Sequence, residues 1–207
     1  MGPKLQFVGL RSFLLQANED LLRVHNAIAA YGYPTELTMA DQLVLALEDR
    51  RFFNHLGVDV LSAFREIFRL LTGQRHGGAS TIDMQLIRTV TGYKERTLAR
   101  KLYEGFLSLL IQGRYSKFKI LRGYLSIAYF GWDLMGIEQA SKKLYNANSW
   151  ELNVRQAAIV AAMLVYPHPK SPSLEWRRKL ERRANYGVRV YTRHKKRFEK
   201  LSRSELV

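Results

Sequence analysis

Two acidic residues of this 207-residue chain stand where a carboxylate could do proton chemistry. Glu48, followed by Asp49, ends an apolar run, and a carboxylate at an apolar rim is costly unless it is paired or used. Glu104 shares a predicted helix face with Arg100 and Lys101. A partly desolvated carboxylate can act as a general base, whereas one flanked by cations stays ionised beside groups that can also hold a phosphate.

The stretch GGASTID at 77–83 predicts an anion-binding helix start. It is typical of a loop that enters a helix, with Ser80 as N-cap and Asp83 as its N3 partner. Backbone N–H groups at such a junction favour an anion. The sequence thus combines an anion-binding helix start, one candidate base, a group of cationic residues and a basic amphipathic helix. These features suit attack by a hydroxyl on a sugar whose leaving group is a lipid-linked phosphate.

Ordinary explanations stand beside these interpretations. An acidic pair at a helix end is most often solvated surface, and His55 is more often structural than catalytic. Arg100, Lys101 and Glu104 could be surface ion pairs, each worth only a few tenths of a kcal/mol. No single motif decides between the two views.

Helical periodicity nearly throughout predicts a mainly α-helical fold without a strand of any length. A Thr38–Asp41 capping box opens a helix that runs to Glu48, and residues 60–71 predict an amphipathic helix with a cationic side. The helix over 97–112 is expected to bury a stripe of apolar residues and to present a separate polar face. The stripe consists of Leu98, Leu102, Phe106 and Leu109, and the polar face of Arg100, Lys101, Glu104 and Ser108.

Two further helices follow. Residues 153–165 are apolar almost all round behind an Asn-x-x-Gln cap, which predicts the central buried helix. The tail at 177–203 alternates basic and apolar residues, as a cationic amphipathic helix does.

Composition narrows the class of protein. A chain that is 47% hydrophobic can bury a sizeable core, and a net charge of +15 favours anionic partners such as nucleic acid, anionic lipid or a phosphorylated substrate. The absence of cysteine excludes thiol catalysis and thiolate zinc sites. No window is apolar and long enough for a spanning helix, although an anchor could precede Met1.

Five segments, in order, resemble the motifs of the peptidoglycan glycosyltransferases of family 51. They are EDRRFFNHLGVD (48–59), GGASTIDMQL (77–86), ERTLARKLYE (95–104), SKFKILRGYLSIAYFG (116–131) and RQAAIVAAMLVYPHPKSP (155–172). The resemblance covers residues 38–172, and because no transpeptidase domain follows, it is closest to the monofunctional type.

The resemblance implies a lysozyme-like helical lobe and a smaller jaw lobe that dips into the bilayer. It implies a single glycosyltransferase domain over 38–207, with the jaw at about 58–80, a basic helix at about 173–203, and an amphipathic segment at 1–37 before it. The implied reaction polymerises lipid II: the 4-hydroxyl of the acceptor attacks the anomeric carbon of the growing chain, and undecaprenyl pyrophosphate leaves.

The resemblance also implies the partners and the compartment. Lipid II, the growing glycan chain, the membrane surface and other cell-wall synthesis proteins are expected partners, and nucleic acid is not. The expected location is the outer face of the bacterial cytoplasmic membrane. No cofactor is obligatory, although a divalent cation, Mg²⁺ or Mn²⁺, could assist the leaving pyrophosphate, and no metal ligands are assigned.

Site roles carry over position by position. Glu48 matches the general base, and Glu104 the acid near the donor pyrophosphate. The remaining matches are residues of substrate binding: Asp49, Phe52 and His55, which shape the cleft; Ser80, Thr81 and Gln85, which line the donor site; Arg88, where the family usually has a phosphate-binding lysine; and the basic residues Arg96, Arg100 and Lys101.

Several positions depart from the family pattern. In the second motif, Asp83 and Met84 replace a threonine and a glutamine, and Asp83 brings a negative charge near a site meant for pyrophosphate. In the fourth motif, Arg122 replaces a glutamate and Ser126 an asparagine, and Tyr103 stands where a lysine is common.

These departures leave a second hypothesis open: a degenerate homologue that binds the lipid-linked precursor or a partner enzyme without polymerising. A glycan-cleaving enzyme with two carboxylates is a third hypothesis, against which the cations suited to a pyrophosphate weigh. A basic nucleic-acid binder explains the charge but none of the five motifs.

Overall fold

The computed structural model describes Pro3, Leu5 and residues 9–29, 36–72 and 80–204. Over these residues the chain is mainly α-helical, which confirms the predicted fold class. The helices are α1 (Leu10–Ala29), α2 (Met39–Glu48), α3 (Val60–Leu71), α4 (Ile82–Thr91), α5 (Leu98–Gln112), α6 (Lys117–Ile127), α7 (Ile137–Tyr145), α8 (Val154–Ala162) and α9 (Leu174–Ser204). None of these described helices combines the length and the apolar character that a bilayer-spanning helix needs.

Some predictions lie outside the described residues. Residues 73–79 contain the start of the predicted anion-binding loop and most of the C-terminal part of the predicted jaw. Most of residues 1–8 and all of 30–35, both within the predicted N-terminal segment, are also outside the described residues.

The chain divides into two compact units that interleave along the sequence. Unit 1 comprises residues 1–31 and 51–124, and unit 2 comprises residues 32–50 and 125–207. The division falls inside α6, and it also separates Glu48 and Asp49, in unit 2, from the rest of the first motif, in unit 1.

In unit 1, α4 packs against α1 and α5. The buried carboxylate of Asp20 on α1 ties these helices together, because it accepts hydrogen bonds from the hydroxyls of Tyr103 (2.8 Å) and Tyr93 (3.2 Å). Burial, and then the neighbouring Asp20, raise the pKa of Tyr93 to about 12 and that of Tyr103 still further, so both phenols stay protonated donors. Tyr103, one of the departures from the family pattern, therefore has a structural role.

Unit 2 is built on α8, which packs against α2, α7 and α9. Both predicted capping boxes are confirmed, Thr38 with Asp41 at the start of α2 and Asn153 with Gln156 at the start of α8. The apolar α8 buries every residue from Ala157 to Ala162, as predicted for the central helix. Helix α9 packs closely against α2 at Gly187. A Cβ atom at this position would lie only 3.0 Å from Leu47 Cγ.

The prediction that the fold lacks strands was wrong for one short hairpin in unit 2. Strands β1 (Tyr129–Gly131) and β2 (Leu134–Met135) pair antiparallel, with Tyr129 opposite Met135. Strands of three and two residues are too short for alternation to be visible in a sequence. The tight turn between the strands depends on backbone conformation instead: Asp133, in this turn, has a left-handed φ of 57°.

The predicted orientation of α5 was also wrong. Its expected buried stripe faces outward, with Leu98 72% and Leu102 66% exposed, and Phe106 and Leu109 are exposed as well. On the expected polar face, Arg100, Glu104 and Ser108 are buried, and Lys101 alone of the four is exposed. The helix thus turns Arg100 and Glu104 inward and Leu98, Leu102 and Leu109 outward, although Leu107 stays buried. For these residues the arrangement is the reverse of an ordinary soluble amphipathic helix.

Candidate functional site

Glu104 lies at the centre of an ion cluster in unit 1. Its carboxylate is fully buried and accepts two hydrogen bonds from Arg88, from Nε to Oε1 at 3.0 Å and from Nη2 to Oε2 at 2.8 Å. Arg100, one turn before it on α5, donates from Nη1 to Oε1 at 2.5 Å. Charge-assisted contacts of this kind are among the strongest hydrogen bonds that a buried carboxylate makes.

The cluster of Glu104, Arg88 and Arg100 carries excess positive charge, because two guanidinium groups face one carboxylate. The hydrogen bond to Glu104 is the main reason that the pKa of Arg88 is raised above its usual value, so this cation does not lose its proton. The Arg88 side chain is 33% exposed, and its Nη2 also donates to Ser80 Oγ at 3.2 Å. Arg88 thus presents a fixed positive charge and a neighbouring hydroxyl to an anion in solvent.

The N-cap of α4 is Thr81, so the assignment to Ser80 was wrong. The Thr81 hydroxyl oxygen accepts from the backbone N–H of Met84, and its O–H donates to the carbonyl of Gly57 at 2.5 Å. Thr81 is buried, and both of its contacts are structural. Asp83 is then not an N3 capping residue, and Ser80, released from the cap, can contact Arg88.

Gly57 fixes the first-motif segment of unit 1 against α5. Its φ is +87°, and a Cβ atom there would lie 2.7 Å from the carbonyl oxygen of Ser108. Only glycine combines that conformation with so close an approach of two backbones. The hydrogen bond from Thr81 and the close approach of the Ser108 backbone therefore fix Gly57 beside α5.

A cleft of about 730 Å³ lies in unit 1 between this segment, α3 and α5. Its walls are mostly apolar, and Lys101 contributes a cationic side chain. Arg51 also lines the cleft, but it is paired at 3.1 Å with Asp59, another lining residue. Lys101 and Gly105, both in the lining, directly follow Arg100 and Glu104 in the chain. The apolar contributors are Leu56, Val58, Val60, Leu61, Met84, Leu102, Phe106 and Leu109. An apolar cleft with the exposed cation Lys101 at its wall suits an amphiphile with an anionic head.

Asp83 does not add a free negative charge to this unit. Its buried carboxylate pairs with Lys117 Nζ at 3.0 Å and accepts from the side-chain amide of Gln112. Desolvation is the largest influence and raises the pKa of Asp83, while Lys117 opposes it. Lys117 therefore compensates the negative charge that Asp83 brings to the second motif.

Other predicted site residues of unit 1 lie as follows. Phe52 is buried with Lys117 Nζ 4.3 Å from its ring centre, and its ring meets that of His55 edge to face. His55 lines the cleft. Gln85 accepts a hydrogen bond of 2.7 Å from the hydroxyl of Tyr124. Arg96 is exposed in the loop before α5, and within the described residues the structure does not bring it to Glu104.

Glu48, in unit 2, ends α2 with its side chain 13% exposed. Arg183 from α9 binds it, with Nη2 3.0 Å from Oε1 of the carboxylate, and the same nitrogen donates to the carbonyl of Leu47 at 2.9 Å. Asp49 is the C-cap residue of α2. It is buried, and its backbone N–H donates a hydrogen bond to the carbonyl of Leu45. Arg183 thus holds the Glu48 carboxylate in a defined position at the end of α2.

The sequence did not predict the cationic partners of Glu48 and Asp83, which are Arg183 and Lys117. Arg183 lies 135 residues from Glu48 in a tail where basic residues recur so often that none stands out. Lys117, the partner of Asp83, carried a weak signal, since it is the second residue of the fourth family segment (116–131). Pairing across such separations is set by packing, which a single sequence does not display.

A family model described as transglycosylase matches residues 27–190, and the chain belongs to this family. The match includes α2, α4, α5 and α8, and therefore both candidate acids, together with Arg183.

Curated relatives agree with this assignment. The chain is 34% identical over 161 residues to the biosynthetic peptidoglycan transglycosylase of Shewanella denitrificans, which covers 78% of this chain and 68% of the relative. It is 36% identical over 140 residues to penicillin-binding protein 1F of Bacillus subtilis (67% of this chain, 20% of the relative). It is 34% identical over 200 residues to penicillin-binding protein 1B of Haemophilus influenzae (94% of this chain, 24% of the relative). The chain thus spans about a fifth to a quarter of these penicillin-binding relatives.

Proposed function

We propose that this chain is a peptidoglycan glycosyltransferase that joins lipid II units into glycan strands. Glu48 accepts the proton of the acceptor 4-hydroxyl as the new bond forms between that oxygen and the anomeric carbon of the donor. The bond from the anomeric carbon to the phosphate oxygen breaks, and its electron pair leaves with undecaprenyl pyrophosphate.

The observation that carries this proposal is the Glu104 cluster behind a mostly apolar cleft. Both oxygens of the buried Glu104 carboxylate are bound by guanidinium groups, so Glu104 serves to fix Arg88 and Arg100. The surplus positive charge suits a pyrophosphate, and it stabilises a leaving group most when negative charge develops on it. The adjoining cleft offers apolar surface to the lipid part of the same molecule.

The direct test incubates the purified chain with labelled lipid II and separates the products on a gel. We expect a ladder of glycan strands. A parent chain that binds lipid II tightly but forms no polymer, under varied detergent and divalent-ion conditions, would instead support the degenerate binding module.

The outward apolar residues of unit 1 support contact with the membrane surface. Phe64 and Phe68 on α3 and Leu98 and Leu102 on α5 are each more than half exposed. Large apolar side chains exposed on two helices are available for an interface, and a basic amphipathic helix such as α3 is typical of a bilayer surface. We place the chain at the outer face of the bacterial cytoplasmic membrane, with other cell-wall synthesis proteins as further partners.

We expect the chain to co-sediment with anionic vesicles, less so at high salt. Each basic residue near an anionic surface contributes about 1 kcal/mol, and the apolar side chains add insertion free energy. Phe64→Glu with Phe68→Glu should weaken sedimentation, whereas Val165→Glu with Leu174→Glu, at exposed apolar positions of unit 2, should not. Indifference to lipid charge and to the α3 pair would contradict membrane contact through this surface.

Lys101 provides a test of the phosphate role that does not disturb the buried cluster. Because Lys101 is exposed at the cleft, Lys101→Ala should leave stability unchanged. A cation that stabilises the leaving pyrophosphate acts more strongly in the transition state, so the chemical rate should fall more than lipid II affinity. The measurement is polymer formation and lipid II binding on the same preparations, with exposed Lys143→Ala as the control. A loss of affinity with no loss of rate would assign Lys101 to ground-state binding alone.

No cofactor is obligatory in the proposed reaction. A divalent cation, Mg²⁺ or Mn²⁺, could assist the leaving pyrophosphate by screening its charge. In this proposal Arg88, Arg100 and Lys101 supply the positive charge for the leaving pyrophosphate whether or not such an ion is bound.

A further inference from the structure

We infer that Arg183 is the positioning residue of Glu48, an inference that rests on the proposed function. The guanidinium contacts only one of the two carboxylate oxygens, Oε1, at 3.0 Å. Within the described residues, Glu48 Oε2 has no hydrogen-bond donor. Arg183 therefore holds one oxygen of the carboxylate and leaves the other for the acceptor hydroxyl.

The contact also orients the carboxylate relative to the backbone. The same Nη2 atom that binds Glu48 donates to the carbonyl of Leu47 at 2.9 Å, so one nitrogen joins the end of α2 to the side chain that follows. Arginine side chains often bind the free carbonyls at a helix C-terminus. Here the arrangement removes rotational freedom from Glu48, because its Oε1 must stay within reach of an atom fixed to the helix.

Arg183 is itself held in place from α9. Its guanidinium carbon lies 5.9 Å from the ring centre of Tyr186, one turn further along the helix. One turn beyond Arg183, Gly187 allows α9 to approach Leu47 closely. The side chain is thus supported by a rigid helix rather than by a mobile loop, which preserves the geometry that a general base requires.

A positioning cation should affect the rate rather than substrate binding. Arg183→Gln should lower kcat by about 10- to 100-fold, the cost of misplacing a catalytic group by about 1 Å, while KM for lipid II changes less than about twofold. Arg183→Lys keeps the charge but not the planar fork, and should recover part of the lost rate. Arg182→Gln, at the neighbouring exposed arginine, is the matched control and should behave as the parent does.

A double-mutant cycle tests whether Arg183 acts through Glu48. In the Glu48→Gln background, Arg183→Gln should cost almost nothing further, because the group that it positions is gone. Equal fold-losses in both backgrounds, in an active enzyme, would overturn the positioning role while the proposed function stands. A parent that forms no polymer would overturn the proposed function and this role with it.

Urea unfolding of the same variants separates positioning from folding. If Arg183→Gln retains the parent's unfolding midpoint and loses rate, its role is positioning. If the rate falls only in proportion to the unfolded fraction, the contact is merely structural and the inference fails.

Discussion

Replacing Glu48 by glutamine should lower the rate of glycan polymerisation by about 10²- to 10⁴-fold, the usual contribution of a general base. Glutamine preserves the size of the side chain and can still accept a hydrogen bond from Arg183 through its amide oxygen. It cannot accept the proton of the acceptor hydroxyl. The fall should therefore appear in kcat, measured as polymer formed from labelled lipid II, and not in the affinity for lipid II.

The control for this variant is Glu175→Gln. Glu175 is an exposed acid at the start of α9, paired with Lys179 rather than with Arg183, so its replacement changes the net charge by the same amount. It should leave polymerisation unchanged. Near-normal polymerisation by Glu48→Gln, with its fold intact by circular dichroism, would remove Glu48 from the role of base.

Replacing Glu104 by alanine should lower the free energy of unfolding by about 3 to 5 kcal/mol, the cost of breaking a buried ion pair from one side. The reason is that Arg100, itself buried, would keep its charge without a counter-ion, and Arg88 would lose both of its bonds to the carboxylate. Urea unfolding at neutral pH measures this loss. Polymer formation should also fall, because the two guanidiniums would no longer be held together.

Two further variants serve as controls for the stability loss of Glu104→Ala. Glu181→Ala removes an acid from an exposed ion pair with Arg155 and should cost less than about 1 kcal/mol. Glu104→Gln keeps an acceptor for the arginines but not the charge, and should lie between parent and alanine in stability. If Glu104→Ala were as stable as the parent, the arginines would have to find other partners, and the assignment of Glu104 as their anchor would be wrong.

The departures from the family pattern are absorbed by local structure where their contacts are described. Asp83 pairs with Lys117, and the hydroxyl of Tyr103 binds Asp20 in the packing of α1 against α5. Arg122 is buried, with its guanidinium carbon 6.0 Å from the ring centre of Phe118. These three departures leave Glu48, Glu104 and the arginines that bind them in place. This favours the active enzyme over a degenerate homologue.

Local signals in the sequence were sufficient for several elements. The caps of α2 and α8 were predicted correctly because a capping box is a contact between residues three apart, which the sequence displays directly. Glu48 was placed correctly at the end of α2, because the apolar run that predicts this helix stops there. At the start of α4 the rule failed by one residue, since Thr81 also bonds to the carbonyl of Gly57, a contact across 24 residues that favours it over Ser80 as the cap.

By itself, the sequence determined the helical class, the limits of α2, α3 and α5 to within a residue, the family resemblance and both candidate acids. It did not determine which face of α5 turns inward, because the 3.6-residue period separates an apolar from a polar stripe without saying which meets the core. The tertiary structure decided that: the buried ion cluster around Glu104 turns the polar stripe inward, and Leu98 and Leu102 are left outside. It also decided that Arg183, among many basic residues of α9, is the one that reaches Glu48, since the choice depends on how closely α9 packs against α2.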